Sequence, residues 1–260
     1  MSFFSTLQNW EYLAKKDPLW AILSDPAKKN GRWEVGEFFA SGRNEIDNTL
    51  AHLAQHGFSP TRTKVAIDFG CGVGRLSRAL SAHFEKVYGV DAAPTMVEQA
   101  RTLNAEHQNI EFVLNQEPHL ARFADESVSF VYSALVLQHI TYPESLRYVE
   151  ELMRVLEPGG VAVFQTPTVD RTPLPLRWTR EAIRRLVRTT RLPIDALYID
   201  MNTIPVAEIE RVARARNCEL IERINVNRQT IGDGGALLPL PEPLFERLVS
   251  EQFVARKRRS

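Results

Sequence analysis

Cysteine is scarce in this chain: Cys71 and Cys218 are the only two among 260 residues. Two thiols cannot build a disulfide framework or a four-cysteine metal site, and such usage fits a reducing compartment, so a cytoplasmic location is expected. Neither sign of charge is in excess, because 32 Lys and Arg face 32 Asp and Glu. That balance provides no overall field for a polyanion, and no nucleic-acid partner is expected. No stretch approaches the roughly 18 consecutive apolar residues of a spanning helix. Met1 to Lys16 has no basic run ahead of a long apolar stretch, as a secretion signal would. Internal repeats and low-complexity tracts are lacking too. His52, His56, His83, His107 and His119 share no clustered spacing with carboxylates, so no metal site is expected.

What the chain does have is alternation. Residues 9–22 and 36–56 read as helices, the first with Trp10, Leu13 and Ala14 on one face, the second with Ile46, Leu50, Leu53 and Ala54. Asp25-Pro26 and Asn30-Gly31 mark turns between them. From Lys64 onward, strands at 65–69, 87–90, 110–114, 128–133 and 161–166 are interleaved with helices at 76–84, 96–104 and 143–155. Strands alternating with helices imply a parallel, doubly wound α/β sheet, since a parallel neighbour needs a crossover. A helix at 206–217 and strands at 220–226 and 251–256 close the chain. The length suits one core with an elaboration: a helical N-terminal cap, 1–56, and a main domain, 57–260. Two departures from a minimal fold stand out, a long Gly- and Pro-rich loop at 227–250 and a basic insertion at 169–201. The insertion carries Arg171, Arg177, Arg180, Arg184, Arg185, Arg188 and Arg191. It reads as a solvated basic helix, a lid for an anionic substrate, or an interfacial helix in peripheral contact with lipid.

Between Asp68 and Gly74 the chain reads Asp-Phe-Gly-Cys-Gly-Val-Gly, after the apolar run Val65 to Ile67 and ahead of a helix. Glycines at alternate positions mark close approach to bare backbone. A dinucleotide fingerprint would place its third glycine at position 75, where this chain has Arg75. Asp68 opening the turn also suits a ligand bearing an ammonium better than a pyrophosphate. Asp91 then ends the second strand and is followed by Ala92-Ala93-Pro94-Thr95-Met96, and Leu156-Glu157-Pro158-Gly159-Gly160 precedes the fifth. In this order the pattern resembles the class I S-adenosylmethionine-dependent methyltransferases. That resemblance implies a Rossmann-like, mainly parallel seven-stranded sheet with an antiparallel last strand. It also implies S-adenosylmethionine as cofactor and S-adenosylhomocysteine as product, with Asp68 on the ammonium side. Gly70, Gly72 and Gly74 would admit the ligand with Cys71 between them, and Asp91 would accept from the ribose hydroxyls beside Ala92. Met96, Asn115, Gln116 and the backbone N–H of Leu120 would meet the adenine, Ser133 and Leu135 would line the pocket, and the Pro-Gly-Gly element would reverse the chain between helix and strand.

The acceptor side is open to more than one reading. His139 is either a general base for a hydroxyl substrate or a loop residue bonded to backbone. Arg43 could clamp the methionine carboxylate, or be a solvated residue of a helix start. Phe38 or Trp33 could press on the sulfonium, or pin the cap to the core. The resemblance implies methyl transfer to oxygen or nitrogen of a small molecule, a glycan or a lipid precursor. A nicotinamide-dependent oxidoreductase and a catalytically silent methyltransferase-like binding protein are the alternatives. The Asn/Asp-Pro-Pro-Tyr/Phe tetrapeptide of amino-methylating DNA enzymes is missing after Tyr132.

Overall fold

The computed structural model describes residues 3–175, 178–179, 182, 201–226 and 248–259. The first helix is two: α1 (Phe3–Lys16) and α2 (Pro18–Ile22). Pro18 has no N–H to continue α1 and is suited to a helix start. Asp17 caps the new helix by accepting from Trp20 N at 3.4 Å, and its other oxygen accepts from Gly31 N at 2.9 Å. A 3-10 turn at Pro26–Lys28 leads to α3 (Val35–Gln55).

The alternation then follows: β1 (Val65–Phe69), α4 (Arg75–Leu80), β2 (Lys86–Asp91), α5 (Pro94–Leu103), β3 (Ile110–Leu114), β4 (Val128–Ser133), α6 (Glu144–Arg154), β5 (Leu156–Asp170), α7 (Val206–Ala215), β6 (Cys218–Asn225) and β7 (Leu248–Lys257). The seven strands form one sheet in the order β3-β2-β1-β4-β5-β7-β6. Strands β1 to β5 are parallel, and β7 runs antiparallel between β5 and β6. Chain order reverses at β1, flanked by β2 and β4, so the crevice for a ligand opens beyond the C-terminal end of β1.

Alternate residues of each strand feed opposite layers. Ile67, Phe69, Val131 and Phe164 pack with α6 and α7 through Val149, Leu152, Ile209 and Val212, whereas Ala66, Phe130 and Val163 pack with α3 and α4 through Ile46, Leu53, Leu76 and Leu80. The Pro-Gly-Gly element differs from the expected reversal. It lies inside β5, where Gly159 takes φ +82° and the β4–β5 register shifts between Val128 and Phe130. Where a turn was expected, β5 carries extra residues between the partners of Val128 and Phe130, Leu156 and Val161. Strand β5 also runs on to Asp170, so the basic insertion starts inside a paired strand, with Val169 opposite Val249. Most of that insertion, and residues 227–247 of the Gly/Pro loop, lie outside the described residues.

Candidate cofactor site

The three turn glycines all have positive φ: 76° at Gly70, 53° at Gly72 and 86° at Gly74. Gly70 and Cys71 donate their N–H groups to Val90 O at 2.8 and 3.0 Å, tying the turn to the end of β2. Gly72 N donates to the Asp91 carboxylate at 2.8 Å, whose other oxygen accepts from Ala93 N at 2.9 Å. The glycine turn and the acid thus meet directly. Burial raises the Asp91 carboxyl, the N–H groups of Ala93, Gly72 and Ala92 oppose the rise, and the negative charge of Glu11 adds to it. A Cβ on Gly70 would fall 2.2 Å from a Val136 methyl, one on Gly72 2.4 Å from Ile22 Cδ1, and one on Gly74 2.7 Å from Asn104 and Phe112. At Gly74 the close approach is made by the packing of α5 and β3. Cys71 is buried and free, and burial pushes its thiol well up.

Asp68 is almost fully buried and accepts from Ser77 Oγ at 2.7 Å. Burial pushes its carboxyl up to about 7, although the Ser77 hydrogen bond and the Arg75 charge pull the other way. Arg75, itself only 4% exposed, donates to Glu45 at 2.7 Å, and Glu45 also accepts from Tyr132 OH at 3.0 Å. Tyr132 stands opposite Asp68 in the β1–β4 register. A buried network therefore runs from α3 through α4 to β4, directly behind the turn. Sequence reading used Arg75 only as a mismatch to the dinucleotide spacing and missed Glu45 and Ser77, since their partners are fixed by tertiary packing.

At the end of β4, Ser133 Oγ is buried with no hydrogen-bond partner among the described residues. Leu135 takes φ +60°, and a 3-10 turn at Leu137–His139 follows. His139 is buried, lies 3.2 Å from Gln138 Nε2, and packs against Trp10 of α1 with ring centroids 5.0 Å apart.

The adenine side departs from expectation. Leu120 N is already taken by the Glu151 carboxylate at 2.7 Å, because Arg154 holds Glu151 against the 120–123 turn, so this N–H is not offered to a ligand. Asn115 donates to Glu117 O at 3.0 Å, and Gln116 donates to Ala92 O at 3.1 Å. Met96 is 1% exposed and packs with Leu13, Phe38 and Val73. Phe38 is fully buried edge-on to Trp33 and Phe39, and Trp33 donates to Leu23 O at 3.1 Å, so both rings pin the cap. Arg43 is exposed and stands outside the buried network; burial lowers the Arg78 guanidinium, Glu106 opposes the fall, and the like charge of Arg43 adds to it. Among the described residues no three His, Cys, Asp or Glu side chains cluster to hold a metal.

A sheet of this order, with a three-glycine turn after β1 bonded to an acid ending β2, is the fold of class I S-adenosylmethionine-dependent methyltransferases, and this chain shares that fold. Residues 67–164 match the family described as a methyltransferase domain. The chain is 30% identical over 181 residues to an uncharacterised protein of a Streptomyces fradiae transposon, covering 63% of this chain and 51% of that one. It is 30% identical over 156 residues to a 2-methyl-6-phytyl-1,4-hydroquinone methyltransferase of Synechocystis, covering 59% and 48%. It spans about half the length of these curated relatives. A SAM-dependent methyltransferase of Leishmania major has the same fold, with a TM-score of 0.61 at 12% identity, over 98% of this chain and 82% of that one.

The matched methyltransferase domain implies S-adenosylmethionine, and the residues present fit it. Asp68 is a buried acid whose charge Ser77 and Arg75 only partly compensate, which an ammonium would complete. Ser133 Oγ is a buried polar atom in need of a partner. Asp91 keeps acceptor capacity beyond the bonds from Gly72 N and Ala93 N.

Proposed function

We propose that this protein transfers the methyl group of S-adenosylmethionine to an oxygen or nitrogen of a small-molecule acceptor, a class that includes glycan and lipid precursors. The carrying observation is the Gly72 to Asp91 bond, which brings the glycine turn and the ribose-binding acid into one site. In this reading Asp68 and Ser133 hold the methionine end, Gly70 and Gly72 let it lie against backbone, Leu135 lines the pocket, Asp91 takes the ribose hydroxyls, and Asn115 and Gln116 border the adenine. When bound, the cofactor supplies an electrophilic methyl on sulfur, and the protein contributes orientation and exclusion of water.

His139 is the proton acceptor for the incoming nucleophile, supported by its place in the turn after β4, buried under Trp10. The Synechocystis relative acts on a phytyl hydroquinone, which supports a hydroxylated, apolar acceptor here. Residues 1–56 form the cap and 57–260 the catalytic domain. Two buried free thiols support a cytoplasmic setting, and among the described residues no helix is long and apolar enough to cross a membrane. Calorimetric titration of S-adenosylmethionine into wild type and Asp91→Ala tests the reading. Tight binding by the first and at least tenfold weaker binding by the second is expected; equal affinity removes Asp91 from the site. His139→Ala turning over at the wild-type rate would remove the base.

A further inference from the structure

Helix α5 begins at the end of the Asp91 turn, yet its own N-cap position is Ala93, which has no side chain to accept from the first-turn N–H groups. The missing acceptor comes from 84 residues away. Glu11 of α1 accepts from Thr95 N at 3.1 Å and from Thr95 Oγ1 at 2.6 Å. Thr95 is the second residue of α5, a position whose N–H an N-cap side chain ordinarily satisfies. Lys15, one turn along α1, lies 3.0 Å from the same carboxylate. Burial works against the Glu11 charge, but the bonds from Thr95 and Lys15 outweigh it and hold the carboxyl below its usual range.

Two further contacts show what this bond fastens. Trp10, the residue before Glu11, packs on His139, and Ile22 at the end of α2 stands over Gly72. Leu13, Ala14 and Ala21 of the same two helices pack with Val73, Ala93 and Met96, which border the glycine turn and the start of α5. The cap therefore covers the crevice from the glycine turn to the histidine, and among these contacts the Glu11 bonds are the polar ones.

We infer that Glu11 is a positioning residue of the cofactor site, an N-cap supplied from a distant helix of the same chain that holds α1 and α2 closed over the glycine turn and must release Thr95 for the cofactor to exchange. The inference rests on the proposed cofactor reading and deepens it. It predicts that the latch governs how fast the cofactor leaves more than how the sheet folds.

The test is S-adenosylhomocysteine release, followed by stopped-flow tryptophan fluorescence, with hydrogen exchange of residues 3–22 in the free and loaded protein. Wild type should gain protection in 3–22 on loading. Glu11→Ala should lose that gain and release the ligand about five- to tenfold faster, the equivalent of one lost cap. Glu11→Gln keeps an oxygen acceptor for Thr95 and should recover most of the slow release, which loss of packing alone would not allow. Thr95→Val removes one hydroxyl with little change in volume and should also release faster. Wild-type release rates in both Glu11→Ala and Thr95→Val would overturn the latch. Failure of wild type to bind S-adenosylhomocysteine would instead overturn the cofactor reading, and the inference with it.

Discussion

Asp68 sets a conflict between stability and binding at a single carboxyl. Its folded value of about 7 lies above the ordinary 3.8, so between about pH 4 and 7 the folded chain keeps a proton that the unfolded chain has lost. Stability of the ligand-free protein therefore falls as pH rises through that window. Asp68→Asn should melt higher than wild type at pH 8, by at most about 4 kcal/mol of stability, and should lose most of its affinity for S-adenosylmethionine. Melting curves at pH 5 and 8 decide the matter, and a variant less stable than wild type at pH 8 would contradict the reading. The turn glycines differ in what they tolerate. Gly72→Ala must hold φ near 53° but meets only the flexible end of Ile22, so a loss of about 1–2 kcal/mol is expected. Gly70→Ala meets both γ carbons and the Cβ of the branched Val136, at 2.2, 2.6 and 2.9 Å, and should lose more. Urea denaturation of the pair gives the order. These residues were legible in the sequence because their chemistry is local, packed into seven consecutive positions. The fate of the Leu120 N–H was not, because its acceptor, Glu151, is 31 residues on and is aimed by Arg154.

Helix α3 is more than the outer wall of the cap, because Glu45 reaches across it to Arg75 and Tyr132 and so fixes α4 and β4 relative to each other. The pair is largely buried, with Arg75 and Glu45 side chains 4% and 14% exposed, so removing one partner leaves a charge with little water to receive it. Glu45→Ala should cost about 3–5 kcal/mol, measured by denaturant unfolding. Glu45→Gln carries a second consequence. Arg75 lowers the Asp68 carboxyl and Glu45 raises it, so neutralising Glu45 leaves the arginine to act alone. The midpoint of the pH dependence of S-adenosylmethionine binding should then move downward, and an unmoved midpoint would disconnect the network from Asp68. Elements as such could be read from periodicity, since the strands and helices of the alternating region fall close to where apolar residues recur. Their interruptions depend on single residues in context: Pro18 splits the first helix with Asp17 as cap, and the Pro-Gly-Gly element, with Gly159 at φ +82°, shifts the β4–β5 register inside β5.

For the molecule as a whole, the fold class was readable because strands alternate with helices along the chain, and the glycine turn falls at the one place where the strand order of the doubly wound sheet reverses. His139, proposed for the acceptor side, was ambiguous in the sequence, because Trp10 of α1 is brought against it by packing rather than by spacing. Ligand linkage separates the donor reading from the nicotinamide alternative on the intact chain. A ligand that binds only the folded state at one hundred times its dissociation constant stabilises it by about 2.7 kcal/mol. For a chain of this size each kcal/mol moves the melting midpoint by about 2–4 °C, so S-adenosylhomocysteine should raise it by about 5–10 °C, while NADH at the same concentration should leave it in place. Arg75 is the reason for the asymmetry: its buried guanidinium is committed to Glu45, and it occupies the position where a dinucleotide turn needs a third glycine. A shift with NADH and none with S-adenosylhomocysteine would reverse the assignment, because the same buried residue would then have to admit the backbone approach that it blocks.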